Sequence, residues 1–184
     1  IFTGILALAT LILAWMAVRQ TRDARIVQRA YVYVVTPSSE LRVDSGHNLI
    51  ALRVWVTWKN SGNTPASPMA SRIGATFVPN IDDFKFGEPT NEIEQPLVLG
   101  PDAQIDSGTI DISALHAIAA ADSTGYQFVW GVAKYRDSFP GSPEHGIEFC
   151  YKVEIEGTLP PPLNACRIRF SVYGEHNRYY DEPT

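Results

Sequence analysis

The chain has 184 residues, with 15 Lys+Arg against 20 Asp+Glu and a formal net charge of -5. From residue 31 onward the balance is 11 against 19, a net of -8, and no basic run is present. That excludes a nucleic-acid binder, whose affinity comes mostly from neutralised phosphates; 45 % hydrophobic and 11 % aromatic residues exclude a disordered chain. Thirteen glycines and thirteen prolines punctuate the sequence often, which suits short strands joined by turns.

Residues 1–18 (IFTGILALATLILAWMAV) carry no charge, and Thr3 and Thr10 are their only polar side chains. As a helix they cover about 27 Å, close to the ~30 Å hydrocarbon core, so the reading is one transmembrane helix. Trp15 sits near its end, where indoles favour the membrane interface. A cleaved signal peptide fits poorly. The basic residues follow the apolar run, and Trp15, Met16 and Val18 are too large for a cleavage site.

Four arginines come next, Arg19, Arg22, Arg25 and Arg29, with Asp23 the one acid among them. The positive-inside tendency puts this flank in the cytoplasm and predicts a single-pass protein of the bacterial inner membrane. Residues 19–30 contain good helix formers and read as a basic juxtamembrane helical stalk. Its arginines also have the chemistry to hold lipid phosphates.

Strands follow. Residues 31–35 (YVYVV) form one that Pro37 ends, and 41–43 a second, short one. A turn at 44–48 leads to 49–59 (LIALRVWVTWK), where Leu52, Val54, Val56 and Trp58 share one face and Arg53, Trp55, Thr57 and Lys59 the other. Residues 60–66 (NSGNTPA) are a turn in which Gly62 is free to take a positive φ. Residues 71–78 are a strand, 80–95 a long acidic loop, 97–99 a short strand, and 103–112 one continuous strand. An alanine-rich helix over 113–121 is capped by Asp111 or Ser113. Residues 126–135 and 146–155 form a hairpin around Pro140-Gly141 and Pro143. A polyproline connection at 160–162 leads to a last strand, 166–173, and residues 176–184 are a polar tail.

The organisation read from this pattern is a transmembrane helix at 1–18, the stalk at 19–30, one β-sandwich domain at 31–175 and the tail at 176–184. Turn signals every 8–15 residues, without a βαβ rhythm, predict a mainly β, immunoglobulin-like sandwich with one short helix.

Several runs carry a resemblance: RAYVYV after the apolar segment, N-S-G-N-T-P-A at 60–66, L-G-P at 99–101, and F-V-W-G with Y-R-D and E-F-C further on. Together they resemble a widespread group of uncharacterised bacterial membrane-anchored proteins with one transmembrane helix and an Ig-like domain. The resemblance implies that architecture and no catalytic residue.

Reactive constellations are sparse. His47, His116, His145 and His176 lack metal-ligand spacing, and strand alternation points Glu144 and Glu148 away from His145. No catalytic, cofactor-binding or metal residue is assigned, and no cofactor is expected. Cys150 and Cys166 lack a CxxC neighbour; their spacing suits two ordinary thiols or a disulfide. Trp55, with Arg53 beside it, is the candidate contact for a partner. The expected function is a non-catalytic interaction module on the lipid bilayer, binding a protein partner or serving as an accessory subunit. Two alternatives stand beside it. One is a hydrolase or metal-dependent enzyme whose site assembles from loops bearing His47, Asp137, Glu144 and His145. The other is a small-ligand sensor at the sandwich mouth.

Overall fold

A computed structural model describes residues 2–87, 91–92, 97–157, 159 and 166–182, without the side chains of 2–7, 25–26, 91–92 and 182. The first element is α1 (Phe2–Gln28), an uninterrupted helix. Its residues 8–24 are exposed on every side, including Leu11, Leu13, Trp15 and Val18. Among the described residues no helix is long and apolar enough to cross a membrane. The side chains of residues 1–7, the first part of the predicted span, lie outside the described residues.

The remainder is mainly β, in two antiparallel sheets. The smaller holds β1 (Val32–Val43), β2 (Leu49–Asn60), β6 (Gln104–Asp106) and β7 (Ile110–Ser113), with β2 between β1 and the β6/β7 pair. The larger runs β10 (Arg167–Val172), β9 (Glu144–Glu156), β8 (Tyr126–Tyr135), β3 (Ala66–Val78) and β4 (Asn91–Glu92). On its flanks β5 (Leu97–Leu99) pairs β3 and β11 (Arg178–Glu182) pairs β9.

The two sheets bury their facing sides in one core, consistent with a β-sandwich. From β2 come Leu52, Val54, Val56 and Trp58; from the opposite sheet Ile73, Val129, Ala133, Tyr135, Phe149 and Val153. Trp58 meets Phe149 edge to face, with ring centroids 5.6 Å apart. The period-2 alternation of β2 makes this possible, since every second side chain reaches the same face. Helix α2 (Ala114–Ala121) begins at Ser113, whose hydroxyl accepts the His116 N–H.

A second apolar cluster lies on the outer face of the larger sheet, where Phe128, Trp130 and Cys150 alternate with the inward residues. The segment expected to be a polar loop covers it. A short 3-10 turn (Ile81–Asp83) brings Phe84 within 4.2 Å of the Phe128 ring, and the Trp130 indole N–H donates to the Gly87 carbonyl.

Four further expectations need correction. Pro37 does not end a strand: β1 runs through it, with a register shift between Val34 and Pro37. Because among the described residues β1 is paired only on its β2 side, an edge position and a bulge tolerate the missing N–H. The predicted strand over 103–112 is two strands, because Ser107 replaces a ladder residue. Its hydroxyl accepts the Val56 N–H, and its own N–H donates to the Val56 carbonyl. Gly62 does not adopt a positive φ; its missing side chain serves close packing, since a Cβ there would stand 2.2 Å from the Arg29 carbonyl oxygen. The tail at 176–184 is not loose through its length, because β11 pairs in register with β9. The polyproline stretch at 160–162 lies outside the described residues.

Candidate functional site

The register of three strands assembles a polar cluster at one end of the sandwich. On β9, His145 stands opposite Tyr135 of β8 and Asp181 of β11. Directly paired residues share a face, so the phenol and the carboxylate flank the imidazole. The β8–β9 loop folds back over it and supplies Asp137. His145 Nδ1 lies 2.7 Å from Asp181 Oδ1, and Nε2 lies 3.2 Å from Asp137 Oδ2. With a proton on each nitrogen the ring donates to both carboxylates. It is buried to 1 % exposure, as befits a polar ring whose two nitrogens are both engaged.

Each carboxylate has further support. Asp137 Oδ1 accepts the Ser142 hydroxyl and the Phe139 N–H. Burial on its own would push the Asp137 carboxyl up; the Ser142, Phe139 and His145 hydrogen bonds outweigh it and hold it below the usual carboxylate value. Asp181 follows the same balance. Burial opposes ionisation, while His145, Tyr179 and the Arg29 charge lower its pKa overall.

Above the imidazole the side chains alternate in kind. Arg29, just past the end of α1, places its guanidinium 4.7 Å from the Tyr31 ring and 5.3 Å from the Tyr179 ring. Tyr179 and Tyr135 both stand beside His145, with centroids 5.9 and 5.3 Å away, and are hydrogen-bonded to each other. Burial pushes both phenols up, Tyr179 the more strongly. Arg29 Nη1 is 3.7 Å from Asp181 Oδ2, too long for a hydrogen bond, and its Nε is buried without an acceptor. The Tyr135 hydroxyl accepts the Val32 N–H and donates to the Ala30 carbonyl. Thus the end of the helix, the start of β1 and the last strand all meet at His145.

The N-S-G-N-T-P-A turn fastens the same junction. Buried Asn60 accepts the Tyr31 and Gly62 N–H groups and donates to the carbonyls of Thr64 and Leu99. A cleft of about 360 Å³ opens between this junction and the β8–β9 loop, lined by Arg22, Arg29, Asp137, Ser142 and His145 among others. A larger groove, about 590 Å³, runs over the outer face of the larger sheet beside Phe86, Val132 and Glu148.

Of the residues considered for a loop-built site, only His145 and Asp137 come together. His47, at φ 62 in the β1–β2 turn, is at the opposite end of that hairpin from the Val32–Asn60 pair. Glu144 faces Lys134 and Arg136, at 3.9 and 3.6 Å. Glu148 pairs instead with His176 and Arg178. Among the described residues no three His, Cys, Asp or Glu side chains are placed to hold a metal ion. In the His145 cluster the two carboxylates grip opposite ring nitrogens and do not converge on one point. Cys150 and Cys166 are both free, and burial pushes the Cys150 thiol up to about 12.

Trp55 is half-buried on the outer face of β2. Beside it Arg53 is bound to Asp111, at 2.8 and 3.3 Å, and Arg42 shares that carboxylate at 2.8 Å. Arg19 stacks on Trp15 at 5.5 Å, and the Arg25 side chain lies outside the described residues. Asp181 does not stand out in the sequence because its segment reads as a polar tail; Tyr179-Tyr180 (aromatic, with β propensity) is the signal there for a strand.

No protein-family model, no curated protein and no solved structure matches the chain.

Proposed function

We propose that the chain is a membrane-tethered, non-catalytic interaction module: α1 anchors a β-sandwich that binds a protein partner or serves a membrane complex. One observation carries the tether. The described part of α1 is apolar and exposed around its whole circumference up to Arg19, and in the sequence the same uncharged run reaches back to Ile1. A helix apolar on all sides needs an apolar surrounding, and among the described residues the sandwich supplies none before Ala30, which is fully buried. The four arginines after residue 18 favour a cytoplasmic domain at the bacterial inner membrane. The finer assignment of the fold as immunoglobulin-like belongs to the same proposal. It is supported by two antiparallel sheets joined by connections that pass from one to the other, β2 to β3 and β7 through α2 to β8.

Carbonate extraction of cells expressing the full chain tests the tether, and crosslinking with mass spectrometry in native membranes tests the partner. The protein is expected in the membrane pellet and crosslinked to a second protein. Recovery in the aqueous supernatant, or as an uncrosslinked species only, overturns the proposal.

A second reading, a hydrolase built from loops, has one observation in its favour: His145 and Asp137 meet beside a cleft. Against it, both imidazole nitrogens are engaged by carboxylates, and the Ser142 hydroxyl donates to Asp137 instead of to His145. General-base catalysis needs a nitrogen facing the group it deprotonates. An unchanged hydrolytic activity in His145→Gln would retire this reading.

A further inference from the structure

We propose that the cleft between the end of α1 and the β8–β9 loop is an oxyanion site for a phosphate group, with Arg22 and Arg29 as its cationic wall. Arg22 lies on the last part of α1, and Arg29 follows directly after the helix ends at Gln28. Both line the cleft, whose opposite wall is the loop from Asp137 to Pro143. Its volume, about 360 Å³, accommodates a phosphate and part of whatever carries it.

The charge around the cleft favours an anion although two carboxylates belong to the cluster. Asp137 is turned inward, onto Ser142, the Phe139 N–H and His145. Asp181 is taken by His145 on one oxygen and lies 3.7 Å from Arg29 on the other. Among the described residues no acid or carbonyl pairs with Arg22. Among the described residues no carboxylate takes the Arg29 guanidinium within hydrogen-bond distance, Asp181 standing at 3.7 Å; its Nε is buried, out of a ligand's reach, and Tyr31 accepts one of its side-chain hydrogen bonds. Its guanidinium is held between the rings of Tyr31 and Tyr179, so it is oriented before any ligand arrives. A planar, pre-oriented guanidinium and a second arginine lining the same cleft suit phosphate oxygens, which accept in a bidentate geometry.

The phosphate has two chemical sources, free in solution or on an anionic lipid headgroup. The lipid source rests on the tether reading; the free ion does not. The test uses the full chain in non-ionic detergent, titrated calorimetrically with inorganic phosphate, and the same chain floated with vesicles of phosphatidylcholine alone or with phosphatidylglycerol added. Saturable phosphate binding assigns the free ion, and a gain seen only with phosphatidylglycerol assigns the headgroup. In either arm Arg22→Gln is expected to weaken binding about tenfold. Arg19→Gln, outside the cleft and stacked on Trp15, should change it less than about twofold, since screening weakens a charge a turn away. Arg22 is exposed, so melting of the variant should match the parent.

Binding in neither arm overturns the site, and so does an equal loss in the Arg19 and Arg22 variants, which would mark diffuse attraction. Flotation with phosphatidylcholine alone reads the tether separately. If it is absent the anchor is wrong, and the phosphate titration alone decides the cleft.

Discussion

His145 Nδ1 lies 2.7 Å from Asp181 Oδ1, so the last strand of the chain is fastened to the sandwich by a side-chain bond as well as by its ladder. Removing the imidazole leaves Asp137 with an unpaired oxygen beneath the β8–β9 loop. His145→Ala is expected to cost about 1–3 kcal/mol, the scale for leaving a buried polar group without its hydrogen-bond partner. Asp181→Asn should cost less, because Asp181 is 44 % exposed and water screens it. Urea unfolding of the three chains measures the order; equal stabilities would show that the cluster holds nothing together.

The same cluster sets an acid limit. The carboxyls of Asp137 and Asp181 both titrate below their ordinary value of 3.8 in the folded protein. A carboxyl with a depressed native pKa stabilises the fold above the unfolded value, and that contribution is lost as pH falls through the native one. Stability should therefore decline below about pH 4, more gently in Asp181→Asn. Melting temperatures from pH 6 down to 2.5 provide the check.

Gly62 packs against the backbone that joins α1 to β1. A Cβ at this position would lie 2.2 Å from the Arg29 carbonyl oxygen and 2.7 Å from Ala30 Cα, both backbone atoms with little freedom to move. Gly62→Ala is expected to destabilise by about 1–3 kcal/mol through overpacking. Thermal melts of the full chain would show it, and an unchanged melt would mean that the junction is looser than described.

Thiol reactivity should differ between the two cysteines. Cys150 is fully buried, and its thiol is pushed up to about 12. Cys166 is half-exposed, and burial raises its thiol too. At pH 8 a maleimide should label Cys166 first and reach Cys150 only on unfolding, because the thiolate is the reactive form and needs access. Peptide mapping of the label gives the order; simultaneous labelling in native buffer would contradict it.

Phe84 roofs the outer cluster, 4.2 Å from Phe128 and 5.8 Å from Trp130. Phe84→Ala should cost about 2 kcal/mol, less than a fully buried phenylalanine because Phe84 is half-buried. It should also shift tryptophan emission to the red as Trp130 gains water. A wild-type spectrum would show that the 80–87 segment does not cover this face.

Much of the fold was legible along the chain. The alternation of Leu52, Val54, Val56 and Trp58 marked the inward face of β2, and β8 ran between the bounds its aromatic and β-branched residues predicted. Of the two cap candidates before the alanine run, Asp111 and Ser113, it is Ser113 that caps α2. The candidate site was legible only in pieces. The sequence offers His145 and Asp137 together with His47 and Glu144, which other contacts hold elsewhere.

Local propensity thus determined which segments became strands and which side of β2 turned inward, because a period of two acts between neighbours along a single strand. Tertiary structure decided what lay beyond that range. It carried β1 through Pro37 at an open edge, recruited Arg178–Glu182 as β11 against β9, and set His145 between Asp137 and Asp181. Those relationships come from register between strands distant in sequence, and register follows from burying two faces at once.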